Sequence, residues 1–373
     1  MKNYKKYSGE ELINLDEKGN AIGKDKEEKK NKFNFKYKII IPIIFFILII
    51  VCYYIFFHYK KNIKNVFDET TIKNLKLKNR VFLGPITHNI EKIEKIVKNN
   101  ISLVVTDGAF VGDFSISNLQ PEKPFRIDDD KYIKEIKELA DVVHKYNSYI
   151  LLDLFHPGLM TADKPIYSPS ADKSFFNKNL KSKAMTKEDI LRIEDYFVQA
   201  AKRAKKAGYD GIEIHGAHLT LVSSFSSIKY NRRTDEYGRN DENRSKFIVE
   251  IVKKIKQAVG DDMIISAKID SVDEEYGFTE NGFLTLGKAL EKSGVDLIEV
   301  SGANPVRKDK GPYFFNDTKK LADILNIPIV CIGGIKSYEQ ADYILKNSNI
   351  EYISLSRELL EDPGIINEWY SNK

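Results

Sequence analysis

Cysteine is scarce in this chain: the 373 residues hold two, Cys52 and Cys331. Two cannot build a disulfide framework, a four-cysteine zinc site or an iron–sulfur cluster. Both lie in apolar stretches and are expected to be buried as small hydrophobes. A strong charge excess is missing too. Lys and Arg number 59 against 54 Asp and Glu, a net +5, and no basic stripe interleaved with aromatics is present to follow a nucleic-acid backbone. A nucleic-acid partner is therefore not expected. The GxGxxG signature is absent after the first β-rich run, which argues against a doubly wound dinucleotide-binding sheet.

Long apolar runs are absent with one exception. Ile39 to Phe57 reads IIIPIIFFILIIVCYYIFF without a charge, a length that fits a bilayer core of about 30 Å at ~1.5 Å per residue. Bulky residues follow it where a signal-peptide cleavage site needs small ones. The reading is a polar, disordered tail over 1–35, a single transmembrane helix over 36–60 and a barrel domain over 65–373. The protein is then expected at a membrane as a single-pass protein. Five lysines from Lys29 to Lys38 precede the run, and Lys60, Lys61 and Lys64 follow it. That balance leaves the side of the barrel domain open.

What is present from residue 65 onward is alternation. Short β-rich runs occur at Arg80–Gly84, Leu103–Thr106, Tyr149–Leu154, Gly211–His215, Met263–Ile269, Leu297–Val300, Pro328–Ile332 and Tyr352–Leu355. Each is apolar and short, as a parallel strand covered on both faces must be. Helical patterns separate them, among them Tyr132–Lys145, Ile190–Ala207 stopping at Gly208, Phe247–Val259 stopping at Gly260, and Leu284–Lys292 before Gly294. Eight strand–helix pairs give the fold class α/β, a (β/α)8 TIM barrel.

Working residues of such a barrel stand at the C-terminal strand ends. Here those ends carry four of the six histidines, His88, His156, His215 and His218. Gly333-Gly334 after strand 7 and Arg357 after strand 8 fit a phosphate: the glycines admit an anion to the backbone, and the guanidinium adds a fixed charged fork. A His-x-x-His pair can also ligate metal, but no third ligand is placed for one, and no metal is expected.

His215-Gly-Ala-His218, then Asn231-Arg-Arg-Thr-Asp-Glu-Tyr-Gly238 and Glu242-Asn-Arg244, resembles the old yellow enzyme family of NADH:flavin oxidoreductases. Asn79-Arg80 through Pro85, LFHPG at 154–158 and LSRELLEDP at 355–363 match as well. The resemblance spans about residues 70 to 365 of this sequence. It implies an FMN-dependent oxidoreductase, reduced by NADH or NADPH, that passes hydride to an activated alkene or another small-molecule acceptor. By matching motifs, Pro85, Ile86, Thr87 and Ala109 would line the flavin ring, with Thr87 beside a ring carbonyl. His215 and His218 would hydrogen-bond the substrate oxygen. Gly333, Gly334, Ser356 and Arg357 would hold the phosphate. The RTDEYG and ENR motifs would fix the loop after strand 4 and open the next helix.

Several positions depart from that pattern. Asp153 stands where the family has Gln, Lys268 where it has Arg, Leu219-Thr220 where it has Gly-Tyr, and Ser356 where it has Gly. Asp153 and Lys268 remain cofactor-binding candidates. Both lie on odd-numbered strands, which share a layer of a barrel interior, so their heads are expected to meet. The missing tyrosine removes the family's proton donor, and threonine is too weak an acid to replace it. The joint departures leave a second reading, a redox-inactive barrel that binds or scaffolds at the membrane.

Overall fold

The computed structural model describes residues 7–8, 11–12, 17–18, 40–53, 64–112, 124–162, 164–304 and 311–371. Contacts divide the chain into two units, Met1–Ile63 and Lys64–Lys373.

In the first unit Tyr7–Ser8 pairs antiparallel with Glu11–Leu12. Most of the polar tail expected to be disordered lies outside the described residues. The apolar run is helical over residues 40–53, which at ~1.5 Å per residue spans about 21 Å. Among the described residues no helix is long and apolar enough to cross a membrane. The expected transmembrane helix, and with it the single-pass membrane location, is corrected accordingly. Cys52 is exposed on this helix, against expectation, whereas Cys331 is buried.

The second unit is the barrel. We number its strands β1 (Val81–Leu83), β2 (Leu103–Val105), β3 (Tyr149–Phe155), β4 (Gly211–Gly216), β5 (Ile264–Asp270), β6 (Leu297–Ser301), β7 (Ile329–Ile332) and β8 (Tyr352–Leu355). Each pairs in parallel with the next, and β8 returns to β1 through Ile353 opposite Val81 and Leu355 opposite Leu83. Closure leaves the sheet without an edge. The eight runs read from sequence agree with these strands to within a residue or two.

Helices α1 (Ile90–Val97), α2 (Ile133–His144), α3 (Lys187–Lys206), α4 (Asp241–Val259), α5 (Glu280–Ser293), α6 (Phe315–Ala322) and α7 (Tyr338–Lys346) pack around the strands. Their ends follow local chemistry. Thr186 and Asp189 form a reciprocal capping box that starts α3, three residues before its apolar periodicity begins. The Asn240 side chain caps α4 by accepting from the Asn243 N–H. Gly294, at φ 91°, ends α5 in the left-handed region that favours glycine.

Period-two alternation divides the barrel interior into levels. The lower level is apolar: Phe82, Leu103, Val105, Leu151, Ile264, Leu297, Val330 and Tyr352 pack with Ile72, Leu75 and Leu77 of an antiparallel hairpin below. Two residues further along β3 to β6 the same faces turn polar, at Asp153, Glu213, Ser266 and Glu299, and Lys268 follows on β5. All five are buried. The fold thus directs ionisable groups toward the C-terminal rim.

Candidate active site

Strand β4 ends in the histidine pair. His215 continues the inward face after Glu213, and its Nδ1 lies 2.6 Å from Asp153 Oδ2. The chain then turns sharply. His218 and Leu219 both adopt positive φ, 62° and 58°, which costs an L residue roughly 1–2 kcal/mol each. Leu219 stands where the family has glycine. Its side chain is buried among Leu159, Ile166, Tyr230, Phe278 and Ala303, and burial of a leucine contributes about 1.5–3 kcal/mol. Packing therefore offsets the strain that glycine would have avoided.

The turn brings the imidazoles together. His215 Nε2 is 3.0 Å from His218 Nδ1, and His218 Nε2 is 2.9 Å from Ser301 Oγ at the end of β6. The backbone N–H of His218 donates to Asp270 Oδ1 at 2.9 Å, and the Ser223 hydroxyl donates to the other oxygen. Burial holds the His218 pKa well below the usual imidazole range, and the neighbouring His215 and Lys268 add to the effect. Burial raises Asp153, opposed by His215, and pushes Asp270 up to about 7. Thr220 does not enter the cavity as a proton donor. Its hydroxyl donates back to the carbonyls of Ala217 and His215, at 2.8 and 3.1 Å.

The expected contact between Asp153 and Lys268 is not formed. Lys268 Nζ instead reaches Glu299 Oε1 at 2.5 Å, with both side chains 2% exposed. Sequence placed the two heads in one layer but could not tell which carboxylate each would choose. Glu299 faces Lys268 directly in the register of the neighbouring strand, while Asp153 is taken up by His215. Burial works to lower the Lys268 pKa, but Glu299, Glu213 and Asp153 outweigh it and hold it raised. Glu213 accepts from Ser266 Oγ at 2.7 Å, and burial, reinforced by Glu299, drives its pKa well up.

A cavity of about 260 Å³ opens at the rim beside this network. Its wall includes Pro85 and Ile86 after β1, Lys268, His218, Ser301, Gly333, Gly334, Ser356 and Arg357. Seven of the expected cofactor-binding residues are thus brought together. Thr87, Ala109 and Asp153 are not in this wall. Thr87 accepts from the Asn89 N–H at 3.1 Å, Ala109 is fully buried beside β3, and Asp153 faces His215. His88 stacks on Phe125. His156 is buried, its pKa lowered to about 3 by desolvation, and neither joins the pair.

The donor set fits a phosphate-bearing flavin. Gly333 and Gly334 have φ of 94° and 74°, and a Cβ on Gly334 would stand 2.0 Å from the Gly311 carbonyl oxygen. Only glycine makes that cradle. Arg357 lies at its mouth, and Ser354 Oγ is buried beneath it without a hydrogen-bond partner. The volume is slightly under the ~300 Å³ at which ligand pockets begin. Tyr313 and Phe314 take up room over the glycines, within 3.2 Å of the position a Gly333 Cβ would occupy. Glu358 also lines the wall and accepts from the Ser356 N–H at 3.4 Å, so an incoming phosphate would compete with a carboxylate for that donor.

Sequence reading missed Glu213 and Glu299, and gave Asp270 and Ser301, at the ends of β5 and β6, no role. The signal was present: GIEIHG and LIEVS each place a carboxylate inside an otherwise apolar strand, where an unpaired charge is costly.

Comparison with known proteins agrees with the geometry. Residues 65–372 match the model of the NADH:flavin oxidoreductase / NADH oxidase family. The chain is 33% identical over 334 residues to the NADH oxidase of Thermoanaerobacter brockii, covering 82% of this chain and 50% of that protein. It is 31% identical over 319 residues to the NADPH dehydrogenase of Geobacillus sp. (strain WCH70), covering 80% and 91%. This chain thus spans half the length of the first relative and nearly all of the second. Morphinone reductase shares the fold, with a TM-score of 0.71 at 20% identity over 83% of this chain and 90% of that one. A closed parallel barrel with a glycine–arginine cradle at its rim, matched across its whole length, places the chain in the NADH:flavin oxidoreductase / NADH oxidase family, the FMN-dependent NAD(P)H oxidoreductases of old yellow enzyme type.

Proposed function

We propose that the rim cavity is where FMN sits and that the acceptor is an activated alkene. Bound there, FMN would supply hydride taken from NADH or NADPH. The observation that carries this reading is the convergence of Gly333, Gly334, Ser356 and Arg357 with Pro85, Ile86 and Lys268 on one cavity. The first four would hold the phosphate through backbone N–H groups, a hydroxyl and a guanidinium. Pro85 and Ile86 give an apolar face for the ring, backed by Thr87 and Ala109 behind the wall. Lys268 keeps a positive charge where the ring gains negative charge, without the bidentate fork of an arginine.

His218 and Ser301 stand at the same wall and face the acceptor. The two imidazoles bond each other at 3.0 Å, so they do not present two free N–H groups to one substrate oxygen. Asp153 acts on His215 rather than on the flavin. That division of labour differs from the one expected on the family pattern.

Colour tests the proposal. The purified protein is expected to be yellow and to release FMN on denaturation, and anaerobic titration with NADH and NADPH is expected to bleach it and identify the donor. A colourless protein that takes up no added FMN would overturn it in favour of a redox-inactive binding module.

A further inference from the structure

Four side chains from three strands and the turn after β4 form one continuous line, Asp153, His215, His218 and Ser301, with contacts of 2.6, 3.0 and 2.9 Å. Asp153 is fully buried at one end, while His218 and Ser301 reach the cavity at the other. No tyrosine follows the histidine pair, and Thr220 is turned away. We propose that this line is a one-proton relay and that Ser301 is the acid that protonates the acceptor, with His218 and His215 resupplying it and Asp153 positioning and balancing the inner imidazole. The inference rests on the cavity being the place where acceptor and flavin meet.

The hydrogen-bond directions define two states that differ by one proton. In the discharged state His215 donates from Nδ1 to Asp153, His218 donates from Nδ1 to His215 Nε2, and the Ser301 hydroxyl donates to His218 Nε2. Every donor points inward. In the charged state His215 carries the extra proton and donates from Nε2 to His218 Nδ1. His218, still neutral, donates from Nε2 to Ser301, whose O–H is then free to face the cavity.

The step balances. Hydride adds to one alkene carbon, and the Ser301 O–H bond breaks as a C–H bond forms at the neighbouring carbon. The His218 Nε2 proton passes to Ser301 Oγ as the His215 Nε2 proton passes to His218 Nδ1. The line ends in the discharged state and is recharged by a proton from water at the cavity mouth. His218 relays without ever carrying a net charge, in keeping with its depressed basicity. Serine alone is a poor acid, and the coupled resupply is what makes it competent.

The charges around the line favour holding the extra proton at its inner end. Asp153 of β3 touches His215 directly, with Asp107 after β2 within electrostatic range of it. Glu213 of β4 accepts from Ser266, and burial raises its pKa. Lys268 of β5 is neutralised by Glu299 of β6, and Asp270 of β5 is held by the His218 N–H and Ser223. The Phe155 ring meets His215 edge-on, at 5.3 Å between centroids, and keeps water off it.

Two measurements on the full chain test the relay. In ¹⁵N-histidine spectra, acidification is expected to protonate His215 and, over the same pH interval, to move the His218 proton from Nδ1 to Nε2 while that ring stays neutral. A His218 tautomer that does not follow His215 overturns the relay. In stopped flow, pre-reduced protein is mixed with a simple cyclic enone. Ser301→Ala is expected to slow enone reduction by roughly 10²-fold, Ser301→Thr to recover most of the rate, and Asp153→Asn to move the limb on which the rate falls with rising pH to lower pH. An unchanged rate in Ser301→Ala, or a limb that stays in place in Asp153→Asn, likewise overturns it. Bleaching of the wild-type protein by NAD(P)H establishes the cavity reading separately, so failure of either idea is recognisable.

Discussion

The two halves of the rim are built on different principles. On the β7–β8 side the cradle is backbone: Gly333 and Gly334 at positive φ, with Arg357 outside. On the β3–β6 side the site is a set of buried titratable side chains that select one another's partners and charges. A cradle of backbone depends on a few glycines at fixed places in the chain. A network of charges can exchange members where new partners are found, and here Asp153, Lys268 and Thr220 stand where the family pattern has Gln, Arg and Tyr, with Asp153 paired to His215 and Lys268 to Glu299.

The sharpest way to break the comparison is to unbalance the network. Lys268→Met leaves Glu299 buried without its cation and is expected to cost about 3–5 kcal/mol. Adding Glu299→Leu should recover much of that loss, because two apolar residues replace a pair rather than orphan half of it. Urea unfolding of the single and double variants measures both, and a double variant less stable than the single would remove the pairing argument. On the other side Arg357→Ala removes a charge-assisted contact of about 1.5–3 kcal/mol. FMN affinity should fall by roughly one to two orders of magnitude in fluorescence titration, with little change in unfolding.

The smallest effect sharpens the role of Asp270. Its folded pKa of about 7 lies above the ~3.9 of an unfolded aspartate. The folded chain therefore holds the proton longer, and the associated stability is complete below ~3.9 and is lost as pH rises through about 7. That slope is at most ~1.4 kcal/mol per pH unit. Asp270→Asn should remove it, so the stability difference between variant and wild type should drift with pH from 4 to 7. A constant difference would place the Asp270 proton elsewhere.

The barrel was legible because its signals are local and repeated. Eight apolar runs and the glycine stops after α4 and before β6 need no knowledge of long-range contacts. The phosphate cradle was legible for the same reason, since Gly333-Gly334 and Arg357 sit at fixed places in a strand–helix count. The partners of Asp153 and Lys268 were not. Their choice depends on strand register and on Glu299, a residue hidden in an apolar strand. Neither was the outcome of the apolar run at 39–57, where length and composition suggested a span but no helix among the described residues is long and apolar enough to cross a membrane.

Sequence alone determined the fold class, the family and the rim on which the chemistry sits, because periodicity and motif spacing act over short stretches of chain. Tertiary structure decided which acid meets which base. Inside a closed barrel, strand stagger sets the distances between side chains far apart in sequence, and low solvation makes each of those pairings an energetic commitment.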